Sequence, residues 1–184
     1  AIVARQKTGQ GQYVDTAMTD GVISLLTFTA ADYLATGIVP RRGETLLGGY
    51  LNPFYSIYET RDKKHIAIGC VEPHFWANLC KAIGKEELIP YQTVEGVKKE
   101  EVFAALRKVF LTKTRQEWFE FLASRDVPAT PVNDLEEAFK DPQVLHRKML
   151  LENRDPQGHL VKQVGPGIKL SATPASMRNM PPSP

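Results

Sequence analysis

Glu72 is the side chain whose placement asks first for a chemical explanation. It stands where the β-rich run His65 to Cys70 has ended and Pro73 opens a helix. A carboxylate there projects from a rigid frame. It can cap the helix, since N–H groups and the helix dipole favour negative charge at that end. In a cleft, the same group can instead serve a catalytic role. Gly48 and Gly49, followed by Tyr50, form the second candidate feature. Paired glycines let backbone approach a ligand closely, or let a lid hinge; they also suit a tight connection between units. The four histidines, His65, His74, His146 and His159, have no carboxylate or serine at a spacing that signals a triad or metal site. They read as surface or ordinarily hydrogen-bonded imidazoles, and no metal is expected. Cys70 and Cys80 lie outside any C-x-x-C pair and read as buried thiols.

The elements that would position these groups are legible from periodicity. Ala1 to Lys7 reads as helix, ending at Thr8-Gly9-Gln10-Gly11, and Tyr13 to Met18 as a short strand. That order, helix before strand, is the reverse of a dinucleotide fingerprint, so Gly9 and Gly11 do not predict nucleotide binding. Thr19 and Asp20 then cap a helix whose apolar residues, Val22 to Leu34, surround most of it and predict burial. Gly37 stops it, and Ile38 to Leu51 reads as a loop. Phe54 to Thr60 and His65 to Cys70 form a hairpin around Arg61-Asp62-Lys63-Lys64. These basic residues read as a solvated tip.

Helices follow from Pro73 to Gly84, Lys99 to Leu111 and Arg115 to Ser124. The third begins with the capping box Thr114 and Glu117. Trp76, Trp118, Phe119 and Phe121 fall at helical spacing and read as core. Val127 to Val132, with two prolines, is extended. Asn133 with Glu136 predicts another capping box, and Asp141-Pro142 a further turn. Met149 to Asn153 and Leu160 to Val164 read as strands joined through Asp155-Pro156-Gln157-Gly158.

Composition narrows the class. A chain of 184 residues, 42% hydrophobic, can bury a real core. A net charge of +2 gives no field for nucleic acid. No apolar run reaches about 18 residues, so no membrane span is expected. Ala1 starts in the middle of a helical phrase, which reads as a cut start.

Several phrases in order resemble the family III CoA-transferases. Ala4-Arg5-Gln6-Lys7-Thr8-Gly9-Gln10-Gly11-Gln12-Tyr13-Val14-Asp15 and Met18-Thr19-Asp20-Gly21 are similar to the family's signature. Gly48-Gly49, Pro53 to Asp62, Ile68 to Trp76, Asp126 to Val132 and Asp141-Pro142-Gln143 follow. The resemblance spans nearly the whole chain and is closest in motif to the alpha-methylacyl-CoA racemase branch. It implies a parent enzyme with a large Rossmann-like α/β domain and a small α+β domain, forming interlocked homodimers. A CoA thioester would be substrate, with no separate cofactor. It implies that the catalytic histidine–aspartate pair of racemases, or the acylated aspartate of transferases, precedes this chain. Glu72 with Pro73 matches a Glu-Pro of racemase-like members, where the glutamate supports the catalytic histidine.

The expected chain is therefore α+β: the end of a large domain and linker over 1–50, a small domain with antiparallel strands over 51–145, and a return segment over 146–184. Expected site residues are Glu72 in a supporting catalytic role and Gly48, Gly49 and Tyr50 against the substrate. The chain alone is expected to be inactive, and the parent enzyme cytoplasmic, without nucleic-acid or membrane partners. Two other functions fit the same residues: CoA transfer between carboxylic acids through an aspartyl intermediate, and a non-catalytic interaction module.

Overall fold

The computed structural model describes residues 1–43, 51–155 and 157–175. The fold is α+β, with helices and small antiparallel sheets. Cα packing separates two units, Ala1–Thr130 and Pro131–Pro184.

In the first unit, α1 (Ile2–Thr8) ends at Gly9, whose φ of 73° closes the helix in the left-handed region. Residues 11–17 form no strand, and Tyr13 is exposed. The short alternation there was not enough, because a strand exists only with a neighbour to take its hydrogen bonds. The predicted single helix is two, α2 (Met18–Leu25) and α3 (Thr27–Thr36), meeting at Leu26. Neither buries a residue; Phe28 and Leu34 are 75% and 80% exposed. The expectation of burial thus fails for the described residues. An apolar helix surface says what could be buried, not that a partner is present.

The core begins with β1 (Tyr55–Glu59) and β2 (His65–Gly69), paired antiparallel with Ser56 opposite Ile68 and Tyr58 opposite Ile66. Side chains alternate across a strand. Ser56, Tyr58, Ile66 and Ile68 therefore point inward, and Tyr55, Ile57, Ala67 and Gly69 lie on the other face. The sheet order is β1-β2-β3, with β3 at Ala129–Val132. Gly69 N–H donates to Pro128 C=O at 2.9 Å just before β3.

Three helices cover the inner face: α4 (Pro73–Ala82), α5 (Val97–Phe110) and α6 (Arg115–Ala123). Trp76, Leu79, Cys80, Val102, Leu106, Phe110, Trp118 and Leu122 meet Tyr58, Ile66 and Ile68 in one cluster. A 3₁₀ segment, Glu86–Tyr91, was not legible as an element, because its three-residue turn and internal Pro90 leave no 3.6-residue period. The Trp76 indole N–H reaches its Leu88 and Ile89 carbonyls, at 3.2 and 3.1 Å. The hairpin tip is also tied down. Arg61 donates to Glu117 at 2.9 Å, and Asp62 accepts from the Thr60 hydroxyl at 2.6 Å and from Arg115 N–H at 3.1 Å. The Thr60 hydroxyl is the main reason the Asp62 carboxyl titrates below its ordinary value. The capping box of Thr114 and Glu117 is present.

Cys70 and Cys80 are free, buried thiols. Burial pushes both up to about 12 from an ordinary 9.0, and pushes the buried Tyr58 phenol upward from 10.0. In the unfolded chain these acids ionise at their ordinary values, so above pH ~9 the folded state binds more protons and stability falls with rising pH. We expect a lower urea midpoint at about pH 10.5 than at about pH 8. Neither thiol should react with a thiol reagent before denaturant is added.

The second unit contains α7 (Leu135–Lys140), α8 (Pro142–His146) and the antiparallel hairpin of β4 (Leu150–Arg154) and β5 (Leu160–Val164). The capping box of α7 is Asp134 with Glu137, one residue later than Asn133 with Glu136. Both pairs have the same spacing, so spacing alone could not choose between them. Asp141 caps α8 by accepting from Gln143 and Val144 N–H. Gly165 N–H donates to Met149 C=O at 2.8 Å. A Cβ at Gly165 would sit 2.1 Å from the Lys148 carbonyl oxygen. Gly165→Ala should therefore destabilise this hairpin by about 1–3 kcal/mol, read as faster amide exchange across Leu150–Val164.

Candidate functional site

Glu72 stands at the N-cap of α4, exposed, with extended backbone at φ −73° and ψ 139°. Its carboxylate makes no cap hydrogen bond. It is thus not a hydrogen-bonding cap. The frame around it is nonetheless firm. Cys70 N–H donates to Phe54 C=O at 2.8 Å, and the Gln92 amide donates to the Cys70 and Val71 carbonyls at 3.1 and 2.8 Å. Pro73 fixes the first helical residue, and Trp76 N–H donates to Glu72 C=O at 3.2 Å. A buried thiol on one side, a glutamine clamp on the other and a helix start together hold the backbone. The carboxylate is left in water.

The outward face of the three-stranded sheet carries a groove of ≈ 470 Å³, with Tyr55, Ile57, Ala67, Gly69, Pro128 and Ala129 among its lining. Small residues make its floor. The Tyr55 ring borders Gly69, with Cε2 3.6 Å from where a Cβ would lie there. Among the described residues the lining has no carboxylate, lysine or histidine, so the groove suits an apolar segment rather than an ion. The sequence pattern did not single it out, although the two-residue period of β1 places Tyr55 and Ile57 on one side. Gln92 was missed as well, since nothing local marks a glutamine whose partners lie about twenty residues away.

Gly48, Gly49 and Tyr50 lie outside the described residues. Of the histidines, His74 packs its ring against Phe75 at 3.9 Å between centroids, and His159 Nδ1 lies 2.9 Å from Asp155. Neither imidazole is bonded to the Glu72 carboxylate. Among the described residues, no three side chains of His, Cys, Asp or Glu are grouped to hold a metal ion. No described helix is long and apolar enough to cross a membrane.

Comparison with known proteins extends this picture. The profile of CoA-transferase family III matches residues 1–184. Mouse (Mus musculus) alpha-methylacyl-CoA racemase is 31% identical over 95% of this chain, which covers 45% of that protein. Human (Homo sapiens) succinyl-CoA:glutarate CoA-transferase is 26% identical over 98% of the chain and 42% of its own length. The chain thus spans less than half the length of these curated relatives. Among solved structures, a CAIB/BAIF family protein from Brucella suis superposes with a TM-score of 0.69 at 26% identity, covering 94% of this chain and 45% of that one. Rv3272 from Mycobacterium tuberculosis gives a TM-score of 0.71 at 20% identity, covering 96% and 46%. With a family match along its entire length and both racemases and transferases among its relatives, the chain belongs to CoA-transferase family III.

Proposed function

We propose that this chain supplies one wall of an acyl-CoA cleft in a racemase-like enzyme that exchanges the proton alpha to a thioester carbonyl. The observation that carries the reading is the Glu72 carboxylate, exposed on a clamped backbone and not used as a helix cap. The chain's likeness to the mouse racemase supports it. An α-proton beside a thioester is weakly acidic, so acid and base must be preorganised and the developing enolate stabilised. In this reading Glu72 orients the imidazole of the catalytic pair. Gly48, Gly49 and Tyr50 cover the thioester, and the CoA thioester is substrate with no further cofactor.

The same proposal assigns 1–50 to the end of a large Rossmann-like domain and linker, 51–145 to the small domain and 146–184 to the return. It makes the parent an interlocked, cytoplasmic homodimer. Since the reading takes the histidine–aspartate pair from upstream sequence, the 184-residue chain alone should have no turnover.

Incubating a 2-methylacyl-CoA with the full-length protein in D₂O tests this directly. Deuterium should enter the alpha carbon with the full-length protein and not with the chain alone. Labelled CoA passing instead to a free carboxylic acid, with no wash-in, would favour the transferase reading that the human relative supports. In that reaction an aspartyl carboxylate divides one acyl transfer into two easier steps. Neither reaction in the full-length protein would leave a non-catalytic module.

A further inference from the structure

Among the described residues of the second unit, the basic side chains are paired except at one place. Lys140 pairs with Glu136, Lys162 with Glu152 and His159 with Asp155. The guanidinium of Arg154 donates to the Gly158 carbonyl at 2.7 Å. By contrast, His146, Arg147, Lys148 and Lys169 line one cleft of ≈ 180 Å³ with no acidic residue among them. Among the described residues none of these four side chains has a hydrogen-bond or ion-pair partner.

The backbone beneath the cleft is built to a tight tolerance. Lys148 holds φ 50°, a region that side-chain-bearing residues rarely occupy. Gly165 lies against its carbonyl where no Cβ would fit, and Gly165 N–H bonds Met149 C=O. Arg147 caps α8, its N–H donating to the Gln143 carbonyl at 2.9 Å. A cation at a helix C-terminus is favourable in itself. That accounts for His146 or Arg147 but not for Lys169, which arrives from beyond β5. Like charges gathered without a counter-charge repel one another, and an anion between them removes the repulsion.

We infer that this cleft is an oxoanion site, built for a phosphate group. A planar guanidinium fork matches phosphate oxygens two at a time, and two ammonium groups add charge without directional demand. The volume suits a compact group. An apolar acyl carboxylate would leave most of the cations uncompensated. The inference rests on the cleft alone and is independent of the thioester chemistry proposed above.

Titration of the ¹⁵N-labelled chain with inorganic phosphate, against chloride at matched ionic strength, tests it. Saturable amide shifts at 146–149 and 165–169 are expected. Arg147→Gln and Lys169→Gln, both at exposed positions, should each raise the phosphate Kd at least tenfold while the remaining spectrum stays in place. CoA and dephospho-CoA form the second arm. The same shifts with CoA but not with dephospho-CoA would identify the group as the nucleotide's 3′-phosphate. Shifts with phosphate alone would identify a free ion. Both outcomes uphold the site. Shifts that do not saturate, that fall elsewhere, or that survive both substitutions would overturn it.

Discussion

Trp118→Ala is expected to destabilise the first unit by about 3–5 kcal/mol. The indole is buried between Phe110, at 5.1 Å between ring centroids, and Phe121, at 5.7 Å. Its N–H donates to the Phe110 carbonyl at 2.8 Å, so truncation opens a cavity and leaves that acceptor without its partner. Phe110 in turn stacks on Tyr58 at 4.8 Å, which connects α6 to the inner face of the sheet. Native domains are stable by only about 5–15 kcal/mol, so this one substitution removes a large share. Urea unfolding followed by the fluorescence of Trp76 is the measurement. A loss below about 1 kcal/mol would show that the Tyr58–Phe110–Trp118 stack is not the centre of the core. Trp118→Phe separates the two causes. It retains a ring and loses the hydrogen bond, and should cost roughly 1–3 kcal/mol.

That core was largely readable in the sequence, and the reason is physical. Between Phe54 and Val127 each helix and strand finds its packing partner within the same stretch, so local periodicity and tertiary burial agree. Trp76, Leu79, Val102, Leu106, Phe110 and Leu122 are buried on the faces their spacing predicts. Periodicity misled where no packing partner stands among the described residues. Met18 to Thr36 has the composition of a buried helix, yet α2 and α3 bury nothing among the described residues. Tyr13 to Met18 alternates like a strand and joins no ladder among the described residues.

The candidate site divides in the same way. Glu72 was marked by its place between a strand and Pro73. The absence of a cap bond could not be foreseen, since side-chain rotation at an exposed N-cap leaves no trace in residue types. Gln92 and the cleft around Lys148 and Lys169 were invisible, because each joins residues about twenty positions apart that share no pattern.

Replacing Glu72 with glutamine separates chemistry from stability more cleanly than any other substitution in this chain. The carboxylate is exposed and bonds no helix N–H, so Glu72→Gln should leave the unfolding free energy within about 0.5 kcal/mol of the parent. In the full-length protein, on the reading proposed above, the same change should slow α-proton exchange on the order of 10²-fold. An amide is nearly the same size, yet it cannot balance an imidazolium formed during proton transfer. The loss should therefore appear in kcat with KM little altered, since orientation of the imidazole matters in the transition state rather than in binding. Glu72→Asp keeps the charge and shortens the reach, and partial recovery of the exchange rate is expected. Gln92→Ala acts on the same group from behind. It removes both hydrogen bonds to the Cys70 and Val71 carbonyls, and should lower the rate by a smaller factor through looser placement of the carboxylate. Equal wash-in rates for the parent, Glu72→Gln and Gln92→Ala would remove Glu72 from the reaction and leave its exposure as a feature of the surface alone.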